Sequence, residues 1–330
     1  MAGIVDRLID EMPVAVVDLE TTGLYVGGDR IVELAVVRIE PSRHPVVAID
    51  TLVNPRRPVA ATEIHGITDT DVAEAPTFEQ IADAFASAVA GCVLASYNVY
   101  FDVKFIRAEW AAVGVRRLPP YLCLMYMRPL LGLGDRCSLG DACRAHGITH
   151  QRVHWAAADA MAGAQLWNIY LEAMARRRLR RFSDLVQVTS YKFSASWNDD
   201  LIVVPPNSQP VSVTFKSRGA VLAAFLAAGR PSDRQQIIGE YWDALTSVLA
   251  DLQITPTEVD YLRSKQAALQ LRGDELRWLH ARAFAGILAD VCRDKAISVE
   301  EALCLHTLTA ALRELGWAPG DLADAEAATL

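Results

Sequence analysis

The sequence predicts an α/β domain, a mixed β-sheet flanked by helices, followed by an all-α helical bundle. Its first half alternates short apolar runs, typical of buried strands, with segments of helical periodicity. Its last hundred residues show helical periodicity and a repeat. At 330 residues the chain is long enough for two domains. We expect an α/β domain over 1–181, a linker with room for one short hairpin over 182–235, and a helical domain over 236–330.

Composition bounds the class of protein. The chain is 52% hydrophobic and 22% charged, as ordinary globular proteins are. Its six cysteines form no C-x-x-C pair, and no apolar run is long enough to span a membrane. The start, Met1 to Glu11, lacks the pattern of a signal peptide. We therefore expect a cytoplasmic protein without a membrane partner.

Charge is distributed unevenly between the two halves. The net charge is −8, with −2 over 1–181 (19 basic, 21 acidic) and −6 over 182–330 (13 basic, 19 acidic). Cations bound to acidic groups of the first half would make that half slightly basic. The net charge argues against a nucleic-acid partner, so a DNA-binding role belongs, if anywhere, to the first half.

The first strand ends in two carboxylates. Val14 to Val17 are small and apolar, and Asp18 and Glu20 follow two residues apart, which places both on one face of a strand. Like charges side by side cost free energy unless a cation lies between them. Oxygen ligands favour Mg²⁺ or Mn²⁺. Alone, such a pair is more often the solvated end of a strand.

The remaining elements of the first half follow from periodicity and turn signals. Segments 30–39 and 46–53 predict two further strands, antiparallel to the first. Asp102 begins an amphipathic helix, and His154 lies in a loop before a helix expected from Asp159 to about Arg181. The other predicted elements are a helix over 78–90 with Thr77 as its N-cap, strands over 92–95 and 121–124, and a helix from Ser138 to Gly147.

Three motifs together resemble a known family. The string Val-Asp-Leu-Glu-Thr-Thr-Gly-Leu over 17–24, the Asn-x-x-Phe-Asp over 98–102, and a histidine five residues before Asp159 are similar to the motifs of the DEDDh 3′–5′ exonucleases. The epsilon proofreading subunit of bacterial DNA polymerase III belongs to this group. The resemblance covers about residues 12–180 and implies an RNase H-like fold. The sequence departs at Tyr97, where the family usually has histidine, and at Cys123-Leu124, where many members have Asp-Thr.

The resemblance also implies roles for residues. Asp18 would bridge two Mg²⁺ or Mn²⁺ ions, Glu20 and Asp159 would complete the first, and Asp102 would act on the second through water. His154 would be the general base. Thr21, Leu24 and His65 would line the pocket of the terminal nucleotide.

The function that these roles imply is metal-dependent hydrolysis of phosphodiester bonds from the 3′ end of single-stranded DNA, in replication proofreading or repair. Two alternatives stay open. One is a 3′–5′ exoribonuclease that trims RNA ends with the same residues. The other is an adaptor that binds ends without cleaving them.

Two segments near the junction also carry hypotheses. Arg176 to Arg181 is rich in arginine, which either balances a helix dipole or tracks phosphates. Gln187 to Phe193 loosely resembles the peptide with which the epsilon subunit docks on the sliding clamp. An ordinary β-strand is the simpler interpretation of that segment.

The last part of the chain repeats with an offset of 43 residues. Asp-x-x-Ile-[Ser/Thr]-x-x-Glu begins at Asp251 and again at Asp294. In each copy Thr255 or Ser298 is placed as an N-cap, with Glu258 or Glu301 completing a capping box. This pair resembles the TerB (tellurite-resistance) helical domain. We expect an acidic bundle for protein contact or self-association, in which capping explains the repeat better than cation binding does.

Overall fold

The computed structural model describes residues 3–150, 154–188, 192–198, 201, 215–217, 233–294 and 297–320. Contacts between residues divide the chain into two compact units. The first comprises Met1–Thr22 and Arg30–Arg230, and the second comprises Gly23–Asp29 and Pro231–Leu330. Among the described residues, no helix has the length and apolar character needed to cross a membrane.

A five-stranded mixed sheet forms the centre of the first unit, in the order β3-β2-β1-β4-β5. The strands β1, β2 and β3 are antiparallel neighbours, whereas β4 runs parallel to β1 and to β5. Their bounds are β1 Val14–Thr21, β2 Ile31–Ile39, β3 Pro45–Leu52, β4 Val93–Ser96 and β5 Tyr121–Cys123. β1 and β2 are buried on both faces, as their continuous apolar runs require. The predicted fold class is confirmed.

Helices cover this sheet. In chain order they are α1 Thr62–His65, α2 Asp69–Val72, α3 Phe78–Val89, α4 Val99–Ala112, α5 Leu124–Leu130, α6 Leu139–Ala145, α7 Ala156–Arg176 and α8 Phe182–Val188. The predicted cap is present, since Thr77 forms a capping box with Gln80, and the Ser138 side chain adds a second cap by accepting the Asp141 N–H. Helix α7 differs from prediction at both ends, since it begins three residues before Asp159 and ends at Arg176.

The segment after α7 corrects the prediction of a β-strand over 187–193. Gln187 and Val188 end α8, and Lys192–Asn198 forms a 3₁₀ helix, so the strand expected over 187–193 is wrong for its described residues. Residues 189–191 lie outside the described residues, as does most of the segment for which a hairpin was expected. Phe182 and Trp197 are buried against each other, because their aromatic area is best removed from water by packing on the first unit.

Helix α7 packs across β1, β2 and β3, and Gly163 allows a close approach. A Cβ at Gly163 would lie 3.0 Å from Cγ1 of Val16 and 3.4 Å from Cδ1 of Leu124. Asp159 lies four residues earlier, which is the same helix face one turn away. The close approach at Gly163 therefore brings Asp159 towards the end of β1.

The described helices of the second unit are α9 Asp233–Leu249, α10 Pro256–Ala268, α11 Gly273–Val291 and α12 Val299–Glu314. Both predicted capping boxes are present. The Thr255 side chain accepts the Glu258 N–H, and Ser298 accepts that of Glu301, while each glutamate returns a bond to its cap. The repeated motif thus begins two helices.

Candidate active site

The end of β1 provides the first two acidic residues. Asp18 and Glu20 lie opposite Ala35 and Glu33 of β2, so both side chains project from one face of the sheet as predicted. Glu20 is only 8% exposed, whereas Asp18 is half-buried. The register shifts between Glu20 and Thr21, which marks a bulge at the point where the strand carries its charged residues.

Asp102 enters the site from the first turn of α4. It is buried, and one of its carboxylate oxygens accepts a hydrogen bond from the Ser96 hydroxyl at the end of β4. Burial raises the pKa of the Asp102 carboxyl above its ordinary value, the bond from Ser96 lowers it, and the charge of Glu20 raises it again. Glu20 and Asp102 are therefore close enough to repel each other when both are ionised.

His154 and Asp159 complete the site from the start of α7. The His154 N–H donates to Oδ2 of Asp159 at 3.0 Å, and His154 Nδ1 lies 3.6 Å from Oε1 of Glu20. His154 is 7% exposed and has a φ of 60°, in the left-handed region that costs a non-glycine residue free energy. The imidazole thus lies among the carboxylates.

A second histidine, His150, was missed in the sequence. Its Nε2 donates a hydrogen bond to Oδ1 of Asp159, and its side chain is 5% exposed. The Asp159 carboxylate therefore accepts one bond from an imidazole and one from the backbone of His154. A histidine nine residues before an aspartate has no local signal of such a contact, because a loop brings the two together.

Three of these residues form a group that fits a divalent metal ion. The ligand atoms of Glu20, His154 and Asp159 all lie within 4.8 Å of one another, and all three side chains are buried. Carboxylate oxygens with one imidazole suit a divalent cation, which would also relieve the repulsion between Glu20 and Asp102. Asp18 and Asp102 lie outside this three-residue group.

The predicted pocket residues lie in three different settings. Thr21 is buried beside Glu20, at the end of β1. Leu24 is half-buried in the turn Gly23–Asp29, which is grouped with the second unit. His65 ends the short helix α1 and is 2% exposed, with Nδ1 accepting the Ile67 N–H at 3.0 Å and Nε2 3.1 Å from the Ala60 carbonyl. These bonds hold the shape of the His65 loop.

Tyr97, which departs from the family motif, makes a structural contact. Its hydroxyl lies 2.8 Å from the Cys137 carbonyl and 3.1 Å from that of Ser138, so the turn after β4 is bonded to the start of α6. Burial raises the pKa of Tyr97 well above its ordinary value. Cys123, in the second departure, donates from its thiol to the Tyr97 carbonyl at 3.2 Å. Tyr97 and Cys123, which both depart from the family motif, therefore contact each other.

Comparisons with known proteins agree with this geometry. Residues 15–167 match the family model RNase_T, described as "Exonuclease". The "DNA polymerase III subunit epsilon-like protein" of Rhodobacter capsulatus is 35% identical over 181 residues, which are 53% of this chain and 26% of that protein. The "DNA polymerase III PolC-type" of Streptococcus pneumoniae strain D39 is 29% identical over 197 residues, 57% of this chain and 13% of that protein.

Solved structures show similarity over about half of the chain. E. coli exonuclease I in complex with an oligonucleotide is 20% identical with a TM-score of 0.43, over 51% of this chain and 42% of that chain. The nuclease domain of 3′hExo, a DEDDh family member, is 18% identical with a TM-score of 0.41, over 48% and 92%.

Residues 15–167 therefore match an exonuclease family model, in agreement with the predicted enzyme class, and this region is called the exonuclease domain below. The chain spans about a quarter or less of the two polymerase-related relatives. The family match ends at residue 167, so the TerB-like assignment of the second unit, called the helical unit below, stays a prediction.

Proposed function

We propose that this protein removes nucleotides from the 3′ end of single-stranded DNA, using Mg²⁺ or Mn²⁺. The observation that carries the proposal is the buried convergence of Glu20, His154 and Asp159 within an exonuclease domain. The relatives named as polymerase III proteins favour DNA as the substrate and a role in proofreading or repair.

The carboxylates Asp18, Glu20, Asp102 and Asp159 would hold the cations, with Asp18 shared between two. Two bound ions stabilise the attacking and leaving oxygens of a phosphodiester in an in-line displacement. The strand holds Asp18 and Glu20 on one face, and α4 and α7 bring the other two carboxylates to it.

His154 is the proposed general base. Imidazole is the side chain that most often transfers protons near neutral pH. Nδ1 of this imidazole lies 3.6 Å from Oε1 of Glu20, beside the carboxylates at which water would be activated. Its role is to accept the proton of the attacking water and to release it to solvent after cleavage.

The test is cleavage of a 5′-labelled single-stranded DNA by the purified full chain with Mg²⁺, with Mn²⁺ or with EDTA. We expect a ladder that shortens from the 3′ end in either metal and no cleavage in EDTA. Asp18→Ala should abolish the ladder. Asp83→Ala, which removes an exposed carboxylate from α3, is the matched control and should cleave like the wild type.

Three outcomes would contradict the proposal: cleavage by Asp18→Ala at the wild-type rate, products that shorten from the 5′ end, or full activity in EDTA. An RNA of the same sequence, assayed in parallel, tests the DNA preference. A faster rate on RNA would show that RNA is the preferred substrate, and the proposed chemistry of cleavage would stay the same.

A further inference from the structure

Glu33 is a buried carboxylate that the proposed chemistry does not use. It lies in β2, where eight of nine residues are buried, and its side chain is only 1% exposed. A carboxylate is rarely buried to this degree unless it is hydrogen-bonded, because the desolvation of an ionised group costs several kcal/mol. Its retention in the middle of an apolar strand therefore calls for a specific partner.

The sheet register places Glu33 beside the active site. Glu33 is the direct cross-strand partner of Glu20 in the antiparallel pair β1–β2. Directly opposed residues project from the same face of a sheet. Like charges in such a pair destabilise a sheet, so two opposed glutamates are not explained by sheet stability.

One partner of Glu33 is the first residue of α7. The Ala156 N–H donates to Oε2 of Glu33 at 3.2 Å, although the two residues are far apart in sequence. The N-cap of this helix, Trp155, provides no side-chain cap bond. A carboxylate from β2 thus satisfies one of the N–H groups that a helix start leaves open, and it also interacts favourably with the helix dipole.

The bonded residue lies between the two site residues of this segment. Ala156 is two residues after His154 and three before Asp159. Glu20 and Glu33 are on neighbouring strands, so a bond from Glu33 to Ala156 fixes the start of α7 against the strand pair that carries Glu20. The distance from His154 Nδ1 to Glu20, 3.6 Å, depends on that placement.

We propose that Glu33 is a positioning residue of the active site, which holds the start of α7 so that His154 and Asp159 meet Glu20. Glu33 acts through the backbone of Ala156 and not by direct contact with substrate. This inference rests on the proposed function and adds a fifth carboxylate to the site, with a different role from the other four.

The first test compares Glu33→Ala with Glu33→Gln in the full chain. Glutamine keeps an oxygen that accepts the Ala156 N–H, whereas alanine removes it. We expect Glu33→Ala to weaken Mn²⁺ binding, measured by calorimetry without nucleic acid, on the order of 10- to 100-fold, as loss of groups that orient metal ligands does. Its kcat should fall by a similar factor. Glu33→Gln should restore both to within a few-fold, and exposed Glu40→Gln is the control.

The reciprocal test removes the donor. Ala156→Pro deletes the N–H at the first helical position, where proline is tolerated. Trp155 already has the extended backbone that a residue before proline adopts, at φ −117° and ψ 108°. We expect Ala156→Pro to weaken Mn²⁺ binding as Glu33→Ala does, and the double variant to be no worse than either single one.

The melting temperature of each metal-free variant separates positioning from folding. If either Glu33→Ala or Ala156→Pro melts below the assay temperature, the other variant is used, because each removes one side of the same hydrogen bond. Wild-type Mn²⁺ affinity and kcat in Glu33→Ala would overturn the proposal. So would equal impairment in Glu33→Gln, which would show that the charge and not the bond matters. Failure of the wild type to cleave DNA would count against the proposed function alone, because the Mn²⁺ arm needs no cleavage.

Discussion

The exonuclease domain and the helical unit both bury acidic side chains, but they stabilise the charges differently. In the helical unit Arg234 bonds to Glu275, with 2.6 Å between Nε and Oε1, and this bond lowers the pKa of Glu275. In the exonuclease domain burial and the charge of Glu20 raise the pKa of Asp102. The first carboxylate has its counter-ion within the protein. The second is one of several acidic groups that share a buried site.

This difference distinguishes charged residues that stabilise the fold from charged residues that serve the reaction. A buried carboxylate with a protein cation needs nothing further, and its removal leaves an unpaired charge that destabilises the fold. Carboxylates that repel one another in a buried site are stabilised in their ionised form when a cation binds between them. We therefore expect substitutions in the two regions to have opposite signatures: loss of activity with retained stability in one, and loss of stability with retained activity in the other.

After the complete loss expected for Asp18→Ala, the largest effect is expected for His154→Ala. Loss of a general base typically lowers kcat by about 10²- to 10⁴-fold, and the carboxylates that hold the cation remain. The measurements are cleavage rate and, separately, Mn²⁺-dependent binding of single-stranded DNA, which should be retained. His44→Ala, in the exposed turn between β2 and β3, is the control. If His154→Ala loses Mn²⁺ affinity together with activity, the imidazole is a metal ligand and not the base.

The sequence predicted the part of this site that local patterns encode. Asp18 and Glu20 are adjacent on one strand, so the period of two residues places them together. Asp102 and Asp159 each lie in the first turn of a helix, as expected. The capping boxes at Thr255 and Ser298 are equally local, since cap and partner are three residues apart.

Glu33 and His150 could not be assigned in the same way. One partner of Glu33 is Ala156, and one of His150 is Asp159, contacts that depend on how α7 packs on the sheet. A signal for Glu33 does exist in the sequence, a single charged residue between apolar neighbours of a buried strand. The helix α8 was missed for a related reason, because Phe182 and Leu185 gain their stability from burial against distant residues.

After His154→Ala, the next largest effect is expected on the stability of the helical unit in acid. His280 is fully buried, and burial lowers its pKa from 6.5 to about 4. Gln266 donates to the Tyr241 hydroxyl at 2.8 Å, and this hydroxyl also lies 2.8 Å from Nε2 of His280. Between pH 6.5 and 4 the unfolded chain binds a proton at His280 that the folded chain does not. The free energy of unfolding should therefore decrease as the pH is lowered from 6.5 to 4, by about 3 kcal/mol.

Peptide-resolved hydrogen exchange of α11 in urea measures this, with wild type and His280→Asn compared at each pH so that intrinsic exchange rates cancel. We expect the wild type to lose protection relative to the variant as the pH falls from 7 to 5. An identical pH dependence in both proteins would show that His280 is not the group that titrates. Cleavage at pH 7.5 should be unaffected by the substitution.

The smallest effect is expected at the two capping boxes. Thr255→Ala and Ser298→Ala each remove a side chain that accepts a helix N–H, so each should destabilise its helix by about 1 kcal/mol. Thr257→Ala is the matched control, because this exposed threonine lies within α10 and alanine favours a helix. Hydrogen exchange of the peptides that contain α10 and α12 should show the loss at the capped ends. Cleavage rates should stay at the wild-type value, since these residues stabilise helices outside the exonuclease domain. A reduced rate in either cap variant, with no change in the α7 peptides, would mean that the helical unit contributes to the reaction. In that case charged residues that serve the reaction would not be confined to the exonuclease domain.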